Sequence, residues 1–128
     1  MKKQKVLVID DDPNTCSLLE TVLQLENFHS ASVNNIINGD IITLLDLETP
    51  DFVILDYHLS GEEALNYIKS IRRAPNWQGL PLIVTSAIDR RQECLAAGAN
   101  EFILKPFNWQ EIMKSINQLQ EKSILKEV

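Results

Sequence analysis

The sequence predicts one α/β domain, with strands and helices alternating around a mostly parallel sheet. Three observations carry that prediction. Phe52-Val53-Ile54-Leu55 and Leu82-Ile83-Val84-Thr85 are unbroken runs without polar alternation, as suits strands covered on both faces. Segments of helical period lie between the strand candidates, which is the pattern of helices packed on both sides of a sheet. The chain has 128 residues, 45% hydrophobic and 23% charged, enough for one good core and too few for two domains.

Lys5 to Ile9 reads as the first strand. Asp10-Asp11-Asp12-Pro13 ends it and starts a helix, because Asp caps the free N–H groups and Pro suits the first turn. Helix one places Leu18, Leu19, Val22, Leu23 and Leu25 on one broad face and ends near Glu26-Asn27. Phe28 to Val33 is a short second strand, with Asn34-Asn35 at its exit. Ile36 to Leu47 holds a second helix with Ile41, Ile42, Leu44, Leu45 and Leu47 as apolar positions, closed by Pro50. Phe52 to Leu55 is the central strand, and it delivers Asp56 at its C-terminal end.

A loop from Tyr57 to Gly61 follows. Helix three then buries Ala64, Leu65, Ile68 and Ile71. Pro75 to Gly79 is a turn-rich connector, with Trp77 on the surface. The Leu82 to Thr85 strand ends at Ser86-Ala87. A short helix, roughly Arg90 to Ala97, leads to Gly98. Glu101 to Leu104 is the last strand, followed by Lys105-Pro106-Phe107. The final helix carries Trp109, Ile112, Met113, Ile116 and Leu119 at helical spacing. The single domain spans 1–128, with a core of about 5–120 and a frayed tail over 121–128.

Composition narrows the function classes. The net charge of −6 argues against binding to a phosphate backbone, which needs a basic face. The apolar run after the basic N-terminus, Val6 to Ile9, is too short for a signal peptide or a membrane span. Cys16 and Cys94 have no metal-ligand spacing and read as reduced thiols of a cytoplasmic protein.

The chemistry lies at the strand ends. In open α/β sheets, ligands bind beyond the C-terminal edge. Asp10, Asp11, Asp56, Ser86 and Lys105 all fall there. Three carboxylates together resist ionisation, and one lysine does not balance them. A divalent cation would. Oxygen ligands in an open site that keeps waters favour Mg²⁺ over Ca²⁺. Asp56 could then act as a nucleophile toward phosphorus, with Lys105 and the Ser86 hydroxyl holding phosphoryl oxygens. The bland alternative for Asp10-Asp11-Asp12 is a capping cluster; the company of Asp56 and Lys105 makes a metal site the better reading.

These pieces together resemble the receiver domain of two-component response regulators, over roughly Lys5 to Gln120. The matching motifs are Val8-Ile9-Asp10-Asp11-Asp12-Pro13, Pro50-Asp51-Phe52-Val53-Ile54-Leu55-Asp56, Val84-Thr85-Ser86-Ala87, Gly98-Ala99-Asn100 and Lys105-Pro106-Phe107. The resemblance implies a flavodoxin-like doubly wound sheet of five strands, in the order 2-1-3-4-5, with five helices. It implies that Asp56 takes a phosphoryl group from a sensor histidine kinase or a histidine phosphotransfer protein. Asp10, Asp11, Asp56 and the backbone carbonyl of His58 would hold Mg²⁺. Ser86 would be the hydroxyl switch, Phe102 the aromatic switch and Lys105 the phosphate-contacting lysine. Asp12, Ala87 and Pro106 would support these groups, and the Lys105-Pro106 peptide is often cis in this family.

Three departures stand out. Ser60 replaces a frequent Pro and Ala64 a frequent Gly, both near the loop after Asp56. Ser86 to Lys105 is shorter than the family's usual spacing by about three residues, so the fourth helix is expected to be short, with an irregular segment around Ile88 to Gln92. The resemblance implies a regulatory phosphoacceptor without turnover of an external substrate. Its output would pass to a downstream protein through the helix-four, strand-five, helix-five face, where a homodimer is one form the contact could take. No direct nucleic-acid or membrane partner is expected. The competing reading is a receiver-like interaction module independent of phosphorylation. A phosphohydrolase resembling haloacid dehalogenases would carry an acid two residues after the nucleophile, where this chain has His58. A flavin carrier is opposed by the triple Asp, which would repel a flavin phosphate.

Overall fold

The computed structural model describes residues 3–59 and 61–127; Ser60 and Val128, the last residue of the expected tail, lie outside them. Five strands form one parallel sheet: β1 (Lys5–Ile9), β2 (His29–Val33), β3 (Phe52–Asp56), β4 (Leu82–Ser86) and β5 (Glu101–Leu104). Their spatial order is β2-β1-β3-β4-β5, the order expected. The helices are α1 (Pro13–Leu25), α2 (Ile41–Glu48), α3 (Ala64–Arg73), α4 (Arg91–Ala97) and α5 (Trp109–Glu127).

β3 is central and buried along its whole length. Its side chains alternate between two cores. Val53 and Leu55 join Leu7, Ile9 and Val84 on the face covered by Ile41 and Leu45 of α2, Ile68 and Ile71 of α3 and Cys94 of α4. Phe52 and Ile54 join Val6, Val8 and Ile83 on the face covered by Leu19 and Leu23 of α1 and Ile112 and Ile116 of α5. Two-sided burial is why these strands read as continuous apolar runs. Each fully buried side chain of this kind contributes roughly 1.5–3 kcal/mol of transfer free energy.

Local chemistry sets the helix starts. Asp12 caps α1, its side chain accepting from the Asn14 N–H, and Pro13 occupies the first turn. Asp40 caps α2 by accepting from the Thr43 N–H. Some expected apolar faces are narrower in the structure. Leu18, Leu25 and Leu47 are exposed, because α1 and α2 each meet the sheet along one stripe and these residues lie beyond it. Trp109, expected to pack along its helix, is partly exposed at the start of α5. A 3₁₀ turn, Ile37–Gly39, precedes α2, and His58–Leu59 pairs antiparallel with Glu62–Glu63 in place of the plain loop expected there. The tail expected from Glu121 is instead a continuation of α5 to Glu127.

α4 is a seven-residue helix, short as the reduced spacing implies; the irregular backbone before it covers 87–90 and stops short of the expected Ile88 to Gln92, because Arg91 and Gln92 already open the helix. Tertiary contacts hold it. The Arg90 guanidinium lies 5.8 Å from the centre of the Tyr57 ring, and that of Arg91 lies 5.3 Å from the centre of the Phe102 ring. At its far end, Arg72 of α3 donates to the carbonyls of Gln78, Leu80 and Gly98 and to the Asn100 side chain. Asn100 in turn accepts from the Leu82 N–H at the start of β4.

Candidate functional site

β1 and β3 are paired in register from Val6↔Phe52 to Ile9↔Leu55, so Asp10, just past β1, and Asp56, the last residue of β3, lie side by side at the edge of the sheet. β5 runs parallel to β4 and delivers Lys105 to the same edge, its N–H donating to the Ser86 carbonyl at 2.7 Å. Lys105 Nζ donates to Asp10 Oδ2 at 3.1 Å and to Asp56 Oδ1 at 3.3 Å. Asp10 and Asp56 are buried, while Asp11 is exposed at the rim. One carboxylate oxygen from each of Asp10, Asp11 and Asp56 lies within 4.8 Å of the other two.

The electrostatics follow from this crowding. Burial and the neighbouring Asp10 push the Asp56 carboxyl up to about 6, and Lys105 opposes the rise. Burial alone would lower the Lys105 ammonium, but its hydrogen bond and proximity to Asp10, with help from Asp56, more than offset that and leave it raised. Lys105 therefore stays charged. Lys105→Met is expected to carry the Asp56 titration further above its present midpoint in the metal-free protein. A carboxyl-carbon NMR titration reads this directly, and an unmoved midpoint would show that the lysine does not govern Asp56.

The donor set fits Mg²⁺. Octahedral coordination at 2.0–2.1 Å places its ligand oxygens roughly 3 Å apart when adjacent and 4 Å when opposite. One carboxylate oxygen from each of the three acids lies within 4.8 Å of the others, near enough for small side-chain rotations to bring them into that range. All the candidate ligands are hard oxygens, and Asp11 is exposed to solvent.

The structure brings together Asp10, Asp11, Asp56 and Lys105. His58 follows Asp56 by two residues with its side chain exposed, its ring 4.8 Å from that of Tyr57. Ser86 is fully buried, and its hydroxyl accepts from the Ile88 N–H at 3.1 Å, so it is tied to the irregular segment before α4. Phe102 lies in the core under Arg91. Thr85 is buried within β4. Asp12 caps α1 and donates its N–H to Asp10 Oδ1 at 2.9 Å. Ala87 and Pro106 line a groove of about 390 Å³ with Thr15, Leu18, Lys105 and Phe107. The Lys105-Pro106 peptide is cis.

The sequence reading missed two contributors, Asn34 and Cys16. Both side chains donate to the Asp10 carbonyl, at 3.0 and 3.3 Å. Burial pushes the Cys16 thiol up, so it remains an S–H donor. Asn34 reads as a strand exit, and nothing in its sequence context points toward Asp10.

Comparison with known proteins shows the family of the chain. The family profile of the response regulator receiver domain matches residues 6–117. The phosphate regulon transcriptional regulatory protein PhoB of Rhizobium meliloti (strain 1021) is 29% identical over 123 residues, covering 93% of this chain and 53% of its own. An uncharacterized 14.6 kDa protein of Leptolyngbya boryana is 30% identical over 121 residues, covering 92% of this chain and 91% of its own. A CheY-like receiver domain protein from Methanospirillum hungatei JF-1 superposes with a TM-score of 0.83 at 20% identity, over 99% of this chain and 100% of its own, which is a likeness of fold.

The chain belongs to the response regulator receiver domain family. It is therefore a regulatory module of two-component signalling and not an enzyme of the ordinary kind. It spans about half the length of the first curated relatives it matches, such as PhoB and the transcriptional regulatory protein KdpE of Staphylococcus aureus. Among the described residues, no helix is long and apolar enough to cross a membrane.

Proposed function

We propose that this domain is a phosphoacceptor switch in which Asp56 takes a phosphoryl group from the phosphohistidine of a sensor kinase or phosphotransfer protein. The observation that carries the reading is the convergence of three carboxylates on Lys105, which reaches both Asp10 and Asp56. Asp10, Asp11, Asp56 and the backbone carbonyl of His58 would hold Mg²⁺. When bound, the ion supplies positive charge that offsets the carboxylates and the phosphoryl oxygens.

The protein's own groups do the rest. An Asp56 carboxylate oxygen attacks phosphorus, the bond from phosphorus to the donor's imidazole nitrogen breaks, and the released imidazole recovers a proton from solvent. The acyl phosphate then gives Lys105 a new anionic partner in place of the Asp56 carboxylate. The Ser86 hydroxyl leaves the Ile88 N–H and turns to a phosphoryl oxygen, loosening the 87–90 segment.

The output is the α4-β5-α5 surface. Partly exposed Leu95, Leu104 and Trp109, with Ile88 beside α4, support contact with a protein. A downstream target or a second receiver would bind there, in the cytoplasm, without direct contact to nucleic acid or membrane. The domain turns over no external substrate beyond gaining and losing its own phosphoryl group.

The test is incubation with Mg²⁺ and a small amido-phosphate donor, followed by intact-mass measurement. One added phosphoryl group, absent in Asp56→Asn, is the expected result. No gain under any donor or metal condition would sink the switch. It would leave a phosphorylation-independent interaction module, the reading that the shortened α4 favours.

A further inference from the structure

Asp10 is held at every polar atom it has. Its N–H donates to the Val33 carbonyl at 3.1 Å. Its two carboxylate oxygens accept from the Asp12 N–H and from Lys105 Nζ. Its carbonyl accepts twice, from Asn34 Nδ2 at 3.0 Å and from the Cys16 thiol at 3.3 Å, and the Asn34 amide also lies 3.6 Å from the Cys16 sulfur. Those last two donors come from different elements, the exit of β2 and the first turns of α1.

That carbonyl belongs to the peptide plane joining Asp10 to Asp11. A peptide unit is rigid and planar, so holding its oxygen fixes the rotation of the plane about the line between the two α-carbons, and with it the directions in which their side chains leave. Both α-carbons carry acids of the cluster. Val33 and Asn34 therefore bracket Asp10 from β2 on both sides of its α-carbon, while Cys16 supports the same plane from α1.

We infer that Asn34 and Cys16 are positioning residues for the acidic cluster: by jointly holding the Asp10 carbonyl, they set the angle between the Asp10 and Asp11 carboxylates. The inference rests on the proposed Mg²⁺ role of those acids and names residues that the role alone does not. Neither side chain touches the ion. Their effect is on preorganisation, the same kind of support that groups behind metal ligands supply elsewhere.

Two donors on one acceptor make a specific prediction about coupling. Removing one leaves the carbonyl satisfied by the other; removing both leaves it without a side-chain donor. Asn34→Ala and Cys16→Ala are each expected to weaken Mg²⁺ binding by about two- to fivefold in calorimetric titration, less than the roughly 10- to 100-fold typical of such supporting groups because the other donor remains. The double variant is expected to lose more than the product of the singles, about 30-fold or more. Cys16→Ser keeps a donor and is expected to restore affinity close to that of the unmodified chain.

Asn34→Asp separates positioning from charge. An added acid near the cluster would tighten Mg²⁺ binding if position 34 acted only through the local field. A carboxylate facing the carbonyl should instead weaken it. Tighter binding in Asn34→Asp with no change in Asn34→Ala would overturn the inference, as would a double variant equal to the product of the singles. Amide hydrogen exchange in the metal-free protein gives a second readout. The Asp12 N–H, bonded to Asp10, is expected to exchange faster in the double variant, and unchanged exchange counts against the inference. If the unmodified chain binds no Mg²⁺, the metal role fails by itself, and the exchange measurement still judges the carbonyl clamp.

Discussion

Asp56→Asn is expected to abolish phosphoryl uptake and, at neutral pH without metal, to make the protein more stable. The two effects have one cause. The folded protein holds the Asp56 carboxyl at about 6, against an ordinary value of 3.8. Between those two values the folded state binds more protons than the unfolded state, so stability is highest below about 4 and falls as pH rises through about 6. At pH 7 the ionised group opposes folding. A rise of that size corresponds to roughly 3 kcal/mol at most, and solvent at the mouth of the site reduces that to about 1–2 kcal/mol. Asparagine keeps the shape without the charge. Its melting temperature should rise by roughly 4–8 °C at pH 7, and the decline between pH 4 and pH 6 should flatten. A melting temperature that drops, with the same pH profile as the unmodified chain, would contradict this. Mg²⁺ should produce a similar stabilisation in the unmodified chain by balancing the same charge.

Gly98→Ala is expected to be among the most destabilising single-methyl additions in the domain. Gly98 has φ of +124°, a conformation side chains rarely adopt. A Cβ there would lie 2.7 Å from Arg72 Cγ and 3.1 Å from Nε. Arg72 has little room to yield, since its guanidinium is committed to Gln78, Leu80, Gly98 and Asn100. Backbone strain and the disturbed charged hydrogen bonds together should cost about 3 kcal/mol, read as a lower urea midpoint. Adding Arg72→Ala should cost less in the Gly98→Ala background than in the unmodified chain, because it also relieves the clash. A Gly98→Ala midpoint close to that of the unmodified chain would refute the account.

The fold was legible because two-sided burial writes itself into β3 and β4 as runs without polar alternation. The site was legible for a related reason: Asp10, Asp56 and Lys105 each lie at the end of a strand, and parallel strands end on one edge. What escaped the sequence depends on side-chain direction across elements. The periodicity of α1 does not say that Leu18 and Leu25 fall outside the buried stripe. Arg72, Asn34 and Cys16 bond mainly to backbone carbonyls, and a carbonyl leaves no mark on residue identity. The length of α5 was missed because the charged residues after Gln120 look like a fraying end, although helix propagation is cheap once the earlier turns are packed.

The two hydrogen bonds of Lys105 span 95 and 49 residues of sequence. Lys105 directly follows β5, the last of the five strands to be synthesised. A nascent chain that has exposed β1 to β4 already carries all three acids but lacks the cation that joins Asp10 to Asp56. Such a chain has its acidic edge uncompensated until Lys105 emerges from the ribosome. The proposed phosphoacceptor role would therefore wait for the finished sheet.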